Sequence, residues 1–396
     1  MSRDTTKRPV VLAVVDYYLP GFKGGGPIRT IANLVERLGD AFDFRILTRD
    51  RDLGDAVPYS DVTPGEWTPV GAAQVLYLAP DDLGRDALAA RFSTIDYDML
   101  YLNSFFSTIS VKLLWLRRRG RLPQRPVIIA PRGEFYPGAL ALKAAKKSVY
   151  LRASRLGGLT KNVIWLASTP DERATILSLF PAAADRVRIA ANLAPAALPQ
   201  TLARRSKVPG EARLVFLSRL SPKKNLDYAL DVLARPATIS PDEHITFDIY
   251  GPQEDPAYWA ECQKRIDRLP DGITAAYRGA VKPERVAATL AGYDAFYFPT
   301  RGENYGHVIH EALAAGTLVL ISDRTPWRNL AERGTGWDIS LDEPETFTAA
   351  IRELVMMDNA TFMRRSSQAK EQARAITQDA GALVANRELF LDVLER

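Results

Sequence analysis

The chain has 396 residues, 46% of them hydrophobic and 25% charged, which is enough for two globular domains that each bury a core. A single cysteine, Cys262, excludes an intrachain disulfide, and three dispersed histidines do not predict a metal site. No apolar run is long enough to predict a membrane-spanning helix. We expect no signal peptide, because the apolar run Val10–Val15 is followed by Asp16 and favours a first strand.

Strands and helices alternate along the first half of the chain. The apolar runs predict strands at Val10–Asp16, Phe42–Leu47, Val75–Leu78, Met99–Leu102, Val127–Ala130, Val163–Ala167 and Val187–Ala190. Residues 50–72 have weak periodicity and are predicted to be irregular. The alternation predicts a parallel sheet with helices on both faces.

A glycine-rich loop, Gly21–Pro27, follows the first predicted strand and precedes a helix predicted over Ile28–Leu38. Glycines at such a point let the backbone approach a phosphate or a sugar closely. The spacing differs from G-x-G-x-x-G, so a dinucleotide site is not predicted. Both a plain turn and a ligand-binding loop are open, with Gly25 and Gly26 as the candidate contacts.

Polar residues follow two later strands of this half. Asn103 ends one strand, and Arg132 and Glu134 follow the next. These two charged side chains suit the hydroxyls or a phosphate of a ligand, although a structural pair explains them equally well. Asp96 and Asp98 have the D-x-D spacing of some metal sites. We interpret them as a solvated loop at the start of a strand, because no other acid is paired with them.

The net charge of +5 is mild, but residues 112–161 hold thirteen Lys and Arg against a single acid. Over Gly138–Leu156 the pattern predicts a helix with Lys143, Lys146 and Lys147 on one face and an apolar stripe on the other. An ordinary amphipathic helix with a solvated face is one explanation. The charge excess favours contact with the anionic headgroups of a membrane.

The second half repeats the alternation after a stretch with prolines, a glycine and a basic run. Strands are predicted at 213–218, 245–250, 273–277, 294–298, 318–321 and near 337–339. We therefore predict a first domain over residues 1–195, a linker over 196–211, a second domain over 212–375 and a C-terminal helix over 376–396.

Two motifs lie where strands of the second half run into helices. Arg219 and Lys224 follow the strand at 213–218, and Glu303 and Glu311 follow the strand at 294–298. Open α/β sheets bind ligands at these strand ends. Two cations suit a diphosphate, whereas carboxylates up to about 12 Å apart suit hydroxyls at the two ends of an elongated ligand.

The backbone N–H groups between the two glutamates, at the start of the helix, add a place for a phosphate. A nucleotide sugar has this layout of hydroxyls, diphosphate and ribose.

Taken together, the Arg219…Lys224 pair, the Glu303-x7-Glu311 motif and the glycine loop resemble family-4 glycosyltransferases over nearly the whole chain. The resemblance implies the GT-B fold, with two Rossmann-like α/β domains facing across a cleft and the C-terminal helix returning to the first domain. It implies metal-independent, retaining transfer of a hexose from a nucleotide diphosphate sugar, UDP- or GDP-linked, with no further cofactor. The implied acceptor is a glycan or a lipid-linked glycan of surface polysaccharide biosynthesis.

The resemblance also implies residue roles. Arg219 and Lys224 would stabilise the departing diphosphate, Glu303 with the Asn304–Gly306 backbone would hold the sugar, and Glu311 would bind the ribose.

Further roles concern residues of both halves. Gly25 and Gly26 would contact the donor, and Arg278 would lie along the base. Asn103 stands where many relatives have a histidine, which puts any histidine-dependent step in doubt. Ser218 and Asn225 stand where the family often has glycines, and we interpret both as tolerated variants.

Two alternatives are kept. One is a non-catalytic polyanion-binding protein, disfavoured because few aromatic residues are interleaved with the basic ones; we expect no nucleic-acid partner. The other is a nucleotide-sugar epimerase of the same fold. For the favoured enzyme we expect a cytoplasmic protein peripherally associated with the inner face of the membrane.

Overall fold

The computed structural model describes residues 7–141, 143–198 and 204–395. The chain forms two α/β units, one made of Met1–Ala196 with Asp379–Arg396 and the other of Ala197–Gln378. Each unit is built on a largely parallel sheet covered by helices, which confirms the predicted fold class. The predicted linker falls partly outside the described residues, and its last residue, Glu211, already belongs to a strand.

The strands of the first unit are Val10–Val14 (β1), Asp43–Arg49 (β2), Trp67–Val70 (β3), Ala73–Leu78 (β4), Met99–Asn103 (β5), Val127–Ala130 (β6), Val163–Ala167 (β7) and Val187–Ile189 (β8). They form one sheet in the order β3-β4-β2-β1-β5-β6-β7-β8. All neighbours are parallel except β3 and β4. Strand β3 corrects the expectation of irregular structure over residues 50–72: pairing with β4 satisfies its backbone, which no local periodicity signals.

The strands of the second unit are Glu211–Leu217 (β9), His244–Tyr250 (β10), Ile273–Tyr277 (β11), Ala295–Phe298 (β12), Leu318–Ser322 (β13) and Gly336–Ile339 (β14). Their order is β11-β10-β9-β12-β13-β14, with parallel pairing between neighbours. The direction of winding reverses between β9 and β12. In such sheets the carboxyl ends of the two strands at the reversal form the ligand crevice.

The α-helices are, in chain order, Gly26–Leu38 (α1), Arg85–Thr94 (α2), Thr108–Arg118 (α3), Pro137–Ala141 (α4), Ala144–Leu156 (α5), Pro170–Leu179 (α6), Leu226–Leu233 (α7), Pro256–Ile266 (α8), Pro283–Ala291 (α9), His307–Ala314 (α10), Pro344–Met356 (α11), Asn359–Gln378 (α12) and Ala380–Leu394 (α13). No helix among the described residues combines the length and the apolar character needed to cross a membrane.

The last helix, α13, completes the core of the first unit. Phe390 packs edge-on against Phe42 and Tyr101 at 5.5 and 5.4 Å between ring centroids. The amide of Asn386 donates to the carbonyl of Ala191 at 2.8 Å. These contacts attach the C-terminal segment to the unit that contains the N-terminal sheet.

The prediction of a single helix over Gly138–Leu156 is wrong in one respect. The segment is divided into α4 and α5, because Lys143 adopts a left-handed backbone with φ of 56°. The left-handed conformation costs a lysine about 1–2 kcal/mol relative to the right-handed one. The surrounding structure must therefore stabilise the break between the two helices.

Candidate functional site

The loops that follow β9 and β12 meet at the point where the winding of the second sheet reverses. Lys224 comes from the first loop and Glu303, 79 residues later, from the second. Their side chains form an ion pair and are only 11% and 14% exposed. The sequence predicted both residues for one ligand but did not predict their contact.

Hydrogen bonds join the same two loops along their length. The backbone N–H of Arg301 donates to the carbonyl of Lys223 at 2.9 Å, and its Nε donates to the Asn225 side chain at 2.8 Å. The Asn225 amide in turn donates to Pro299 at 2.8 Å. The ion pair between Lys224 and Glu303 is therefore fixed by a frame of backbone and side-chain contacts.

Asn225 also explains one departure from the family pattern. Its backbone is left-handed, with φ of 64°, at the residue that precedes α7. Glycine is favoured in this conformation, and asparagine is among the residues that tolerate it best. Asparagine therefore keeps the backbone that glycine would give and adds the two side-chain hydrogen bonds.

The electrostatics of the pair follow from its burial. Burial lowers the pKa of Lys224, and the Glu303 carboxylate opposes that change. Burial alone would raise the pKa of Glu303, but the ammonium groups of Lys224 and Lys223 outweigh it and hold the pKa below its usual value. The Lys224 ammonium also lies 5.5 Å from the centre of the Phe298 ring. The site thus holds two opposite charges in a poorly hydrated place.

Arg219 lies in the same loop and is more accessible. Its guanidinium donates to Glu254 at 2.9 Å, with the two side chains 29% and 37% exposed. Sequence reasoning missed Glu254, although its place after β10, at the end of a strand adjacent to β9, was an available signal. Arg219 is therefore available to an anion at a lower desolvation cost than Lys224.

The backbone of Ser218, the other departure from the family pattern, is approached closely by a glycine in the neighbouring loop. Gly251 has φ of 138°, and a Cβ added there would lie 1.8 Å from the carbonyl oxygen of Ser218. The close approach between the loops after β9 and β10 requires glycine at residue 251.

Helix α10 begins at His307, four residues after Glu303. Gly306 precedes it in a left-handed conformation, and Trp327 donates its indole N–H to the carbonyl of Tyr305. The Tyr305 ring packs against His307 at 4.6 Å, and burial raises the pKa of its hydroxyl to about 12. The backbone from Asn304 to Gly306 therefore leads into the first turn of the helix, the turn whose N–H groups have no partner within the helix itself.

Two further predicted residues lie on elements of this unit. Glu311 is half-buried within α10. Arg278 follows β11, and its Nε donates to Asp248 at 2.9 Å. The hydroxyl of Tyr293 donates to the same carboxylate at 2.7 Å. Arg278 is thus held at a strand end while half of its side chain stays exposed.

The glycine loop lies in the first unit, between β1 and α1. Gly25 has φ of 71° and precedes the helix, of which Gly26 is the first residue. The buried carboxylate of Asp52 accepts hydrogen bonds from the backbone N–H groups of Phe22 and Lys23 at 2.7 and 3.0 Å. The loop is therefore a fixed structure at the carboxyl end of the central strand.

Glu134 and Arg132 do not form a pair with each other. The Glu134 carboxylate accepts hydrogen bonds from the Ser104 hydroxyl and from the backbone N–H groups of Phe105 and Phe106. Burial raises its pKa. Glu134 thus holds the loop that follows β5, which favours a positioning role for this residue over ligand contact.

Arg132 has only neutral hydrogen-bond partners among the described residues. Its guanidinium donates to the side-chain oxygens of Asn103 and Asn192 and to the hydroxyl of Tyr101. Its backbone is left-handed, with φ of 56°. The charge of Arg132 is therefore oriented by its neighbours but not neutralised by a carboxylate.

The two remaining groups of predicted residues have separate explanations. Asp98 accepts a hydrogen bond from the N–H of Val10 at 2.8 Å, as expected for a structural residue at a strand start. Lys143 and Lys146 are exposed, but Lys147 donates to the carbonyl of Ala139 at 2.6 Å and lies over the Phe106 ring. The predicted grouping of the three lysines on one face is wrong, because Lys147 faces the protein.

Comparison with protein-family models matches residues 211–357 to the family described as glycosyl transferases group 1. The phosphatidyl-myo-inositol mannosyltransferases of Mycobacterium tuberculosis and Mycobacterium bovis are 27% identical to this chain over 157 residues. That match covers 38% of this chain and 39% of each relative, well under two thirds of their length.

Solved structures resemble the chain over almost its whole length. Sucrose-phosphate synthase from Thermosynechococcus elongatus has a TM-score of 0.68 at 16% identity and covers 98% of this chain and 100% of its own. Anabaena HepE, solved with UDP and glucose, has a TM-score of 0.66 at 14% identity, with 98% and 100% covered. WaaG, a glycosyltransferase involved in lipopolysaccharide biosynthesis, has a TM-score of 0.64 at 15% identity. The match covers 97% of this chain and 99% of WaaG. At these identities the likeness shows the fold.

Proposed function

We propose that this chain, which has the GT-B fold and whose residues 211–357 match the model of the glycosyl transferases group 1, is a glycosyltransferase with a nucleotide diphosphate sugar as donor. The observation that carries the proposal is the buried ion pair of Lys224 and Glu303 beside Arg219, at the reversal of the second sheet. Hydroxyl-binding and diphosphate-binding groups meet there, as a nucleotide sugar requires.

The reaction breaks the bond between the anomeric carbon and the diphosphate oxygen and forms a bond between that carbon and the oxygen of an acceptor hydroxyl, whose proton passes to the departing diphosphate. Negative charge develops on the departing diphosphate. Arg219 and Lys224 stabilise that charge by charge-assisted hydrogen bonds, so the proposed mechanism needs no metal ion. We assign retention of the anomeric configuration from the resemblance to family 4.

The proposed donor extends from the sugar at Glu303 to the nucleoside near Glu311 and Arg278. The sugar hydroxyls bind the Glu303 carboxylate and the backbone of Asn304–Gly306, and the ribose hydroxyls bind Glu311. The complexes of HepE with UDP and glucose support a UDP-linked donor, because HepE shares the fold. A GDP-linked sugar is the other candidate.

The proposed acceptor is a glycan or lipid-linked glycan of surface polysaccharide synthesis. Arg132 supports an anionic group on it, since the guanidinium donates to neutral side chains and has no carboxylate partner among the described residues. In this assignment Asn103 orients Arg132, and Glu134 positions the loop after β5.

A thermal-shift screen of nucleoside diphosphates and their sugars tests the donor class. A ligand at 100 times its Kd adds about 2.7 kcal/mol of stability, which is readily measured. We expect one nucleoside diphosphate to stabilise the wild type and the Lys224→Ala variant to lose most of that shift. No shift with any nucleotide would overturn the proposal, and release of an epimerised sugar without an acceptor would replace it with the epimerase alternative.

A further inference from the structure

Helix α5 presents apolar side chains to solvent. Leu156 is 90% exposed and Val149 is 66% exposed, and Ala145 and Ala153 are exposed beside them. Residues seven apart lie within about 20° of each other around a helix, so Val149 and Leu156 form one ridge. The sequence predicted an apolar stripe opposite the basic face, and the structure shows that Val149 and Leu156 of this stripe face solvent.

The opposite side of α5 is attached to the protein. Leu151 and Ser154 are buried, and the Tyr150 ring packs against Phe105 with 5.0 Å between centroids. Lys147 is on this side as well. The outward direction of Val149 and Leu156 is therefore set by a packed inner face.

Basic residues lie on both sides of the ridge. Lys146 and Arg152 are three residues before and after Val149, which places them about 60° to either side of it. Both are exposed, and Lys143 is exposed at the start of the helix. An apolar ridge with a cation on each side is the pattern of a helix that lies in the interface of a membrane.

These cations are not neutralised within the protein. Exposed cations of helix α8 have acidic partners, as in Arg265 with Asp231 at 2.8 Å and Lys264 with Glu261 at 2.6 Å. Among the described residues, no acid forms an ion pair with Lys143, Lys146 or Arg152.

The end of α3 extends the same positive surface. Arg118 donates to the carbonyl of Gly157 and Arg117 to that of Lys161, each at 3.0 Å. These bonds bring the arginine-rich segment 117–121 against the loop that follows α5. The positive potential therefore covers more than one helix and complements an anionic surface.

We infer that the outward face of α5 docks this protein on an anionic phospholipid bilayer, with Val149 and Leu156 entering the interface and Lys146 and Arg152 contacting the headgroups. The inference goes beyond the proposed donor chemistry, since it names the surface on which the protein works. A lipid-linked acceptor is confined to such a surface, so docking would bring the enzyme to it.

The test is co-sedimentation of the full chain with vesicles, without donor or acceptor. The wild type should bind vesicles that contain phosphatidylglycerol at low salt and bind phosphatidylcholine vesicles far less. The ridge variant Val149→Glu/Leu156→Glu should lose about tenfold or more in partitioning. The charge variant Lys146→Glu/Arg152→Glu should lose about a hundredfold at low salt and less at high salt.

Matched controls are available in the chain. Val384 and Leu391 on α13 have the same spacing of seven and are 48% and 41% exposed. Changing both to glutamate should leave vesicle binding near that of the wild type. The exposed residues Lys282 and Arg285 serve as the control for charge reversal.

Three results would overturn the inference. One is that the ridge variant binds vesicles as well as the wild type does, which would leave the positive surface around α5 as a site for a soluble polyanion. Another is equal loss in the ridge variant and its α13 control. The third is a wild type that does not bind vesicles and sediments as a dimer, while the ridge variant sediments as a monomer. That result would make this face of α5 a contact between two copies of the chain. Transfer activity is not measured, so failure here leaves the donor proposal standing.

Discussion

The ammonium of Lys224 and the carboxylate of Glu303 form an ion pair that links the ends of two adjacent parallel strands, β9 and β12. Glu303 thus occupies the anionic position next to Lys224 that we assign to a diphosphate. Donor binding therefore requires Lys224 to exchange or share its anionic partner. This relationship changes what is expected of a Glu303 variant.

We expect Glu303→Gln to destabilise the unliganded chain by about 2–3 kcal/mol, because it leaves a buried ammonium without its counter-charge. Nucleoside diphosphate should bind the variant at least as tightly as the wild type, since the diphosphate then becomes the anion next to Lys224. Turnover should still fall, because the sugar loses a hydrogen-bond acceptor. Urea unfolding, calorimetry and a transfer assay measure the three effects.

The matched control for Glu303 is Glu254→Gln, which removes the partner of Arg219 from a partly exposed pair. Its cost in stability should stay below about 1 kcal/mol. Weaker nucleotide binding by Glu303→Gln, without loss of stability, would show that Glu303 contacts the nucleotide directly.

The variant Glu311→Gln should weaken binding of the free nucleoside diphosphate by about tenfold, the equivalent of about 1.4 kcal/mol for a hydrogen bond to a charged group. The reason is that we assign the Glu311 carboxylate to the ribose hydroxyls of the nucleotide. Calorimetry checks this against Glu332→Gln, which changes an exposed acid outside the assigned site. Unchanged affinity would remove Glu311 from the nucleotide end.

Replacing either cation of the proposed diphosphate site should slow transfer. Arg219→Ala and Lys224→Ala should each lower kcat about a hundredfold, which corresponds to roughly 3 kcal/mol of lost transition-state stabilisation. Arg235→Ala is the control for Arg219, because it also breaks a partly exposed ion pair, with Glu345. Near-normal turnover in both site variants, with the fold intact, would refute the assigned role.

Transfer should persist after treatment with EDTA. We assign the charge of the departing diphosphate to Arg219 and Lys224, whereas Asp98 accepts a hydrogen bond from the backbone of β1. The assay compares initial rates before and after chelation. Complete loss of activity that Mn²⁺ or Mg²⁺ restores would contradict the metal-independent mechanism.

The left-handed residue before α7 gives a prediction about stability. Asn225→Ala should cost about 2–3 kcal/mol, because it combines about 1–2 kcal/mol of backbone strain with the loss of the hydrogen bonds to Pro299 and Arg301. Asn225→Gly should cost less stability than Asn225→Ala, and the difference should equal the backbone strain, because glycine adopts this conformation freely. Urea unfolding of both variants measures the difference. Equal costs would show that the backbone conformation is not what selects asparagine.

The sequence alone determined the strands and their parallel arrangement, except for the antiparallel strand β3. Runs such as Val10–Val14 and Ala295–Phe298 are apolar at every residue, which is what a strand buried on both faces requires. It also placed Arg219, Lys224 and Glu303 at strand ends, because a strand followed by a helix leaves its loop at the carboxyl edge of the sheet. These features depend on residues close together in the chain.

Only the tertiary structure decided which of these residues touch. Lys224 and Glu303 are 79 residues apart, and their contact exists because β9 and β12 are neighbours in the sheet, which no local pattern specifies. The face of α5 was decided in the same way. Periodicity identified an apolar stripe and a basic face, but the packing of Tyr150 and Leu151 against the rest of the unit determined that Val149 and Leu156 face solvent. A helical pattern fixes which residues share a face, whereas the direction of that face depends on contacts with segments distant in the chain.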